Sequence, residues 1–456
     1  MTVTLSRWDK APYVFVNGDL PPEVERAIDN ELSYEVEDAE YTDAWKQGDW
    51  DGRHRLFRES DHGSQYFPVG CLSLVRDVLT AFGVPFDTEN VVNPGRGECD
   101  VSWNTEMELR GYQRDAVEDA MRHGSGIITM PTGSGKTLIG LRLIYELRRP
   151  TMVLCHRKEI ADQWVEKMEE LLGLDVARCY GGERENGDFM VALYQSVYDD
   201  ARGEVRDDVR TDHDVLLSDE CHRVGADTFS DVTLDVNATY RYGFSATPER
   251  EDNATLRVIG GTGRIIADIR PEGLIEDGYL AKPQWRILDP PKSRGSYRQW
   301  QDEYKGEIVE NEGRNSMIAD EVERLPKPCY IHVERINHGE RLEGLIDGAT
   351  FVSSDSPDRE EVIDEFRDGE RDLLISTLLG EGFDVPELRS VVMAGGLKTS
   401  IGAIQKVGRA LRAETEEAVV VDFVDSGRWV GDHAEERIRT YKDYYGKFGP
   451  DTGGGQ

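Results

Sequence analysis

Short apolar runs alternate with stretches of helical periodicity through most of the chain. Between about residues 105 and 275 the runs GIITM, TMVLCH, VLLSDE and RYGFSAT read as buried strands, and TLIGLRLIYELRR and KEIADQWVEKMEELLG repeat apolar residues at helical spacing. Strand and helix in that order predict a parallel sheet covered on both faces. The same texture returns in PCYIHV, ATFVSS, DLLISTL, SVVMAG and AVVVDFVD, which predicts a second lobe over residues 316–456, ending in a polar helix and a GGGQ tail. Residues 1–104 are mixed α+β in pattern and close on the linker-like VVNPGRGECD, while 276–315 read as a charged, loop-rich connector with room for a thumb-like insertion. The expected fold class is α/β: two parallel-sheet lobes, the first over 105–275, preceded by a small α+β domain.

Charge changes the picture in one respect. The 456 residues carry 89 Asp and Glu against 54 Lys and Arg, a net charge of −35, with only thirteen lysines. Such a balance fits a salt-rich cytosol and a halophilic archaeon or its virus. It would normally argue against a nucleic-acid partner, since phosphate affinity comes largely from Lys and Arg. At about 1 M salt, however, the screening length is only about 3 Å, so the global charge hardly reaches a locally basic groove. Charge therefore speaks to habitat and solubility rather than to partner. The six cysteines are scattered without CxxC or Cys/His spacing, which predicts reduced thiols. No apolar run is long enough to span a membrane and the start has no secretory pattern, so a cytoplasmic location is expected.

The chemistry begins at MPTGSGKT, residues 130–137, placed after an apolar run and before a helical one. In that context Gly133, Ser134 and Gly135 let backbone N–H groups cradle phosphates at a helix N-terminus, Lys136 reaches the β/γ-phosphates and Thr137 holds Mg²⁺. Met130 departs from the plain GxxxxGK[ST] pattern. About 80 residues on, LLSDECH ends a buried strand in carboxylates. Asp219 is the candidate Mg²⁺ partner and Glu220 the candidate base for water. ATP and Mg²⁺ are thus the expected cofactors.

These motifs, with others in order, resemble the superfamily 2 helicases, ATP-driven motors with two RecA-like lobes. LRGYQ at 109–113 is similar to the Q motif, PTGSGKT to motif I, DECH to motif II, SAT at 245–247 to motif III, STLLGEGFDVPE at 376–387 to motif V and QKVGRALR at 405–412 to motif VI. The resemblance covers about residues 105–425. RED at 250–252 resembles the XPB-type DNA helicases, and YTDAWKQGDWDGRHRLF resembles the start of the UvsW-type recombination helicases of phages. It implies Gln113 at adenine and Gly382, Asp384 and Gln405 at nucleotide. His222, Ser245 and Thr247 would couple hydrolysis to lobe movement. Arg409 and Arg412 would be arginine fingers, and a spacing of three on a helix would put them on one face.

Candidate nucleic-acid contacts are His156 and Arg157 after TMVLC, Gln195 in VALYQSVY beside a Tyr194 equally suited to the core, Thr377 and Arg250. In the N-terminal domain Arg53 and Arg55 alternate onto one strand face beside Trp45, Trp50 and Phe57. Phosphate contacts position without reading sequence, so no base-specific recognition is expected. The function implied is an ATP-dependent DNA helicase or translocase acting on duplex, single-stranded or branched DNA in recombination, repair or fork rescue. An RNA helicase and a non-unwinding translocase subunit of a nuclease or restriction system are the competing readings.

Overall fold

The computed structural model describes residues 2–8, 11–36, 38–91, 98–104, 107–199, 202, 204–210, 213–221, 226–246, 255–293, 295–378, 388–396, 407–408 and 416–451. Two compact units result: residues 1–130 with 135–269, and residues 131–134 with 270–456.

The first unit holds two sheets. In the N-terminal domain, strands β1 (Val3–Trp8), β2 (Tyr13–Asn17), β5 (Arg58–Glu59), β6 (Gln65–Pro68) and β7 (Phe86–Val91) form a mixed sheet in the order β5-β6-β2-β1-β7, while β3 (Ser33–Glu35) and β4 (Arg53–Arg55) pair separately. Val3, Leu5, Val14 and Phe67 from the sheet and Val24, Ile28, Val75 and Leu79 from two helices make its core. The small α+β domain is therefore as expected.

The second sheet takes β8 (Ser125–Thr129), β9 (Thr151–Cys155), β10 (Ala177–Cys179), β11 (Phe189–Leu193), β14 (Val215–Ser218), β15 (Tyr240–Ser245) and β16 (Ile265–Asp268) in the order β10-β11-β9-β14-β15-β8-β16. Every pairing is parallel. β9, β11 and β14 are buried along their whole length, which is why they read as continuous apolar runs instead of alternating ones. A minor hairpin, β12 (Tyr198–Asp199) with β13 (Glu204–Val205), lies between β11 and β14 in sequence.

The N-terminal domain is welded to this sheet through the helix Thr255–Thr262. Leu256 and Ile259 of that helix join the N-terminal core. A Cβ on Gly70 would lie 2.0 Å from the Ile259 carbonyl oxygen, so only glycine permits this approach. Arg7 donates to the Ala238 and Thr239 carbonyls at 2.5 and 3.5 Å, and Arg264 pairs with Asp77 at 2.6 Å. Behind the seam Arg241 is fully buried and donates to the carbonyls of Gly261, Val236 and Thr233. Burial first, and then the Arg7 charge, lower its pKa to about 9.

The second unit carries β17 (Lys282–Leu288), β18 (Cys329–His332), β19 (Thr350–Val352), β20 (Leu373–Ser376), β21 (Ser390–Met393) and β22 (Glu417–Phe423), all parallel, in the order β17-β22-β21-β18-β20-β19. This corrects the connector expected at 276–315: KPQWRIL is an edge strand of the second sheet, and helices Trp300–Tyr304 and Glu312–Arg324 follow it. Its charged residues, Lys282 and Arg286, occupy the exposed positions of an edge strand and interrupt the apolar run, which masks the strand signal. The first unit likewise ends at Ile269, short of the expected 275. Two buried ion pairs organise the second unit, Arg314 with Asp425 at 2.7 Å and Arg437 with Asp422 at 2.7 Å.

Candidate functional site

The polar residues foreseen for phosphate chemistry lie at the carboxyl ends of β8 and β14, the edge where parallel sheets bind ligands. After β8 the chain turns through Gly133 (φ 81°) and Gly135 (φ 89°), left-handed conformations that suit glycine, and the helix Lys136–Leu147 starts directly. Ser134 folds back on the turn, its hydroxyl donating to the Pro131 carbonyl at 2.5 Å. Gly135 is further constrained from outside: a Cβ there would lie 2.5 Å from Nε2 of Gln113. Gln113 is thus pressed against the phosphate loop. Its Oε1 accepts the backbone N–H of Arg110 at 2.9 Å and so caps the helix Gly111–His123.

Lys136 donates to Oε1 of Glu220 at 2.7 Å, and both side chains are largely buried. Asp219, 8% exposed, accepts the Glu220 backbone N–H on Oδ1 at 2.9 Å and the Trp164 indole N–H on Oδ2 at 3.0 Å. Burial, and next the Glu220 charge, push the Asp219 carboxyl up from the usual range; Lys136 and the two hydrogen bonds hold it down. Glu220 adopts φ 45°, a left-handed conformation costly for a residue with a side chain, which aims its carboxylate at Lys136. Thr137 is the second residue of that helix. Its hydroxyl and the Asp219 carboxylate are the hard oxygen donors a divalent cation takes.

Ser245, buried at the end of β15, lies opposite Thr129 in the sheet, and its carbonyl accepts the Met130 N–H at 2.9 Å. Motif III is therefore tied to the start of the phosphate loop through the backbone. Cys221 is buried and its thiol pKa is pushed up by burial, in keeping with a packing role.

His156 and Arg157 follow β9, and Tyr194 and Gln195 follow β11. Cys155 and Leu193 are direct partners in the ladder, so these residues share one edge. Arg157 and Gln195 are exposed there, His156 is half-buried, and Tyr194 is core at 3% exposure. Thr377, half-buried, follows β20, where the Leu378 N–H bonds to the Ser376 hydroxyl at 2.9 Å. In the N-terminal domain Arg53 and Arg55 do share a face of β4, but with acids: Arg53 pairs with Glu35 at 3.4 Å and Arg55 with Asp29 at 3.1 Å and Asp51 at 2.5 Å. The Arg55 hydrogen bond holds the Asp51 carboxyl well below the usual range. His222, Thr247, Arg250, Gly382, Asp384, Gln405, Arg409 and Arg412 lie outside the described residues.

Sequence reasoning missed Trp164, which looks like any apolar residue on a helical stripe. Nothing in KEIADQW signals that its N–H ends on Asp219.

Residues 106–250 match the family described as type III restriction enzyme, res subunit, and residues 330–414 match the helicase conserved C-terminal domain. A relative named for Rad25 from Halobacterium salinarum is 29% identical over 352 residues, 73% of this chain but only 57% of that protein's length. The DNA 3'-5' translocase XPB2 of Sulfurisphaera tokodaii is 26% identical over 70% of this chain and 82% of its own. The ATP-dependent DNA helicase uvsW of Enterobacteria phage T4 is 23% identical over 87% of this chain and 86% of its own, so that similarity reaches into the N-terminal domain. Among the described residues no helix is long and apolar enough to cross a membrane. The chain thus carries a domain of the res-subunit family and a helicase conserved C-terminal domain, in this order, on two parallel sheets.

Proposed function

We propose that the protein is an ATP-dependent DNA helicase or translocase acting on duplex or branched DNA in recombination, repair or fork rescue. The observation that carries this reading is the Lys136–Glu220 bridge beside a buried Asp219 at the mouth of a glycine-turned phosphate loop. The relatives' names supply the nucleic acid: both XPB2 and uvsW are named for action on DNA. The Halobacterium relative and the charge of −35 fit work at high salt inside a cell.

The residues divide the chemistry. The turn fits phosphate because Gly133 and Gly135 adopt left-handed backbone at the helix N-terminus, and Gln113 leaves no room for a Cβ at Gly135. Thr137 and Asp219 would hold Mg²⁺, which when bound neutralises charge on the phosphates. Lys136 exchanges Glu220 for the β/γ-phosphates, and that exchange frees Glu220 to take a proton from the attacking water. ATP binding thus arms its own base. Arg409 and Arg412 stabilise the charge on the transferring phosphoryl group, with Gln113, Gly382, Asp384 and Gln405 at the nucleotide. Ser245, His222 and Thr247 pass the change to the grip on nucleic acid, which Arg157, Gln195, His156, Thr377 and Arg250 provide. Arg53 and Arg55 support the N-terminal fold through their acid pairs and make weaker candidates for DNA contact.

Lys136→Ala and Glu220→Gln should each abolish DNA-stimulated ATP turnover, and retained turnover in either would refute the assignment. The res-subunit family match favours one second reading, translocation without strand separation. Displacement of a triplex-forming strand without unwinding of a fork would select it.

A further inference from the structure

The Trp164 indole lies beneath the phosphate site as a slab. It is 1% exposed, its ring centroid is 6.5 Å from that of Phe244 in β15, and its edge sits where a Cβ on Gly140 of the helix Lys136–Leu147 would come within 2.4 Å of Cη2. One turn after Lys136, the P-loop helix therefore keeps a glycine where the indole enters. The slab ends on Asp219, with Nε1 donating to Oδ2 at 3.0 Å. The opposite oxygen, Oδ1, is held by the Glu220 backbone N–H at 2.9 Å. Each carboxylate oxygen thus has one fixed donor.

From this geometry we infer that Trp164 is a positioning residue, holding the Asp219 carboxylate in the orientation that receives the divalent cation. The inference rests on the proposed role of Asp219 and adds to it the group that acts through it. An indole N–H can only donate, so it keeps Oδ2 an acceptor and leaves the remaining lone pairs for a metal. The desolvation that opposes ionisation of a carboxyl as buried as Asp219 is offset in part by this bond. A tryptophan that only packed would need the glycine opposite it but not the alignment of Nε1 with Oδ2. Donors behind a metal ligand typically change metal affinity by about 10–100-fold when lost.

The test uses the full-length protein and equilibrium binding of a fluorescent methylanthraniloyl-ADP, so that the readout is not turnover. Trp164→Phe keeps the ring under Gly140 and removes the N–H. It should bind the analogue in EDTA as wild type does, and should need about tenfold or more Mg²⁺ for half-maximal tightening. Asp219→Asn is the reference, and adding Trp164→Phe to it should shift the Mg²⁺ requirement no further. If Trp164→Phe is not folded, Gly140→Ala, which pushes the indole out of line, must raise the Mg²⁺ requirement in the same direction. A shift in Asp219→Asn with none in Trp164→Phe or Gly140→Ala overturns the inference and leaves the Asp219 assignment standing. No shift in Asp219→Asn overturns both.

Discussion

Gly70→Ala tests how firmly the N-terminal domain is fixed to the first parallel sheet. The added Cβ would lie 2.0 Å from the Ile259 carbonyl oxygen, 2.7 Å from that of Gly260 and 2.8 Å from the Gly263 nitrogen. These are backbone atoms of one rigid helix end, so no side chain can swing aside. The turn at Gly70 must retreat by roughly 1 Å to restore ordinary contact, and such overpacking typically costs about 1–3 kcal/mol. The retreat also lengthens the Arg7 bond to the Ala238 carbonyl, 2.5 Å in the native seam, and a charge-assisted bond contributes about 1.5–3 kcal/mol. The Arg264–Asp77 pair is half-exposed and adds little. A loss of about 3–5 kcal/mol at the seam follows, enough to undock the domain before either core melts. Hydrogen exchange should show faster opening of the helix Thr255–Thr262 by two orders of magnitude or more, while amides of β9 and β14 keep their protection. Unchanged exchange across Thr255–Thr262 in a Gly70→Ala protein of native melting temperature would refute the reasoning.

Other consequences can be checked separately. Asp422 accepts from Arg437 at 2.7 and 2.8 Å and from the Tyr441 hydroxyl at 2.9 Å. Asp422→Asn strands a buried guanidinium, and should lower the stability of the second unit by about 3–5 kcal/mol, seen as a fall in its melting temperature; a native melt would show that the pair is dispensable. His338 is fully buried, and desolvation first, then Arg314, lower its pKa to about 3 from about 6.5 in the unfolded chain. Between those values the unfolded state binds the extra proton, so the contribution is intact above pH 6.5 and drains as pH falls toward 3, by at most about 5 kcal/mol. Urea titrations from pH 7.5 to 5 should therefore slope less in His338→Asn than in wild type, and parallel slopes would contradict the shift. Gly135→Ala strains a φ of 89° and drives Gln113 from the phosphate loop, so nucleotide affinity should fall at least tenfold with the fold retained, as read by fluorescent-ADP binding.

The sequence disclosed the site better than its supports. Gly133, Gly135 and Lys136 are legible because a strand, a glycine turn and a helix must follow one another for a phosphate cradle, and Asp219 because a carboxylate ending the apolar run VLLS, often merely solvated on its own, follows that cradle by about 80 residues. The parallel strands were equally plain where both faces are buried. β17 was hidden because the exposed Lys282 and Arg286, with Pro283 and Gln284 between them, break the apolar run of an edge strand as they would in a loop. Gly70 against Ile259 and Trp164 on Asp219 were not legible at all, since each depends on a partner far along the chain; Arg241 bonds carbonyls only 5 to 20 residues away, but nothing in its own run marks it as buried. For Arg53 and Arg55 the shared strand face was readable, whereas the acids opposite them, Asp29 and Glu35, come from the preceding helix and strand and were not.

The central claim is that ATP turnover at this site is driven by DNA. The most direct measurement is ATP hydrolysis in high KCl with Mg²⁺, comparing no nucleic acid, single-stranded DNA, duplex DNA, a forked DNA and RNA, with Glu220→Gln as the blank. The account predicts strong stimulation by duplex or forked DNA and none in the blank; stimulation by RNA alone, or turnover indifferent to nucleic acid, would contradict it.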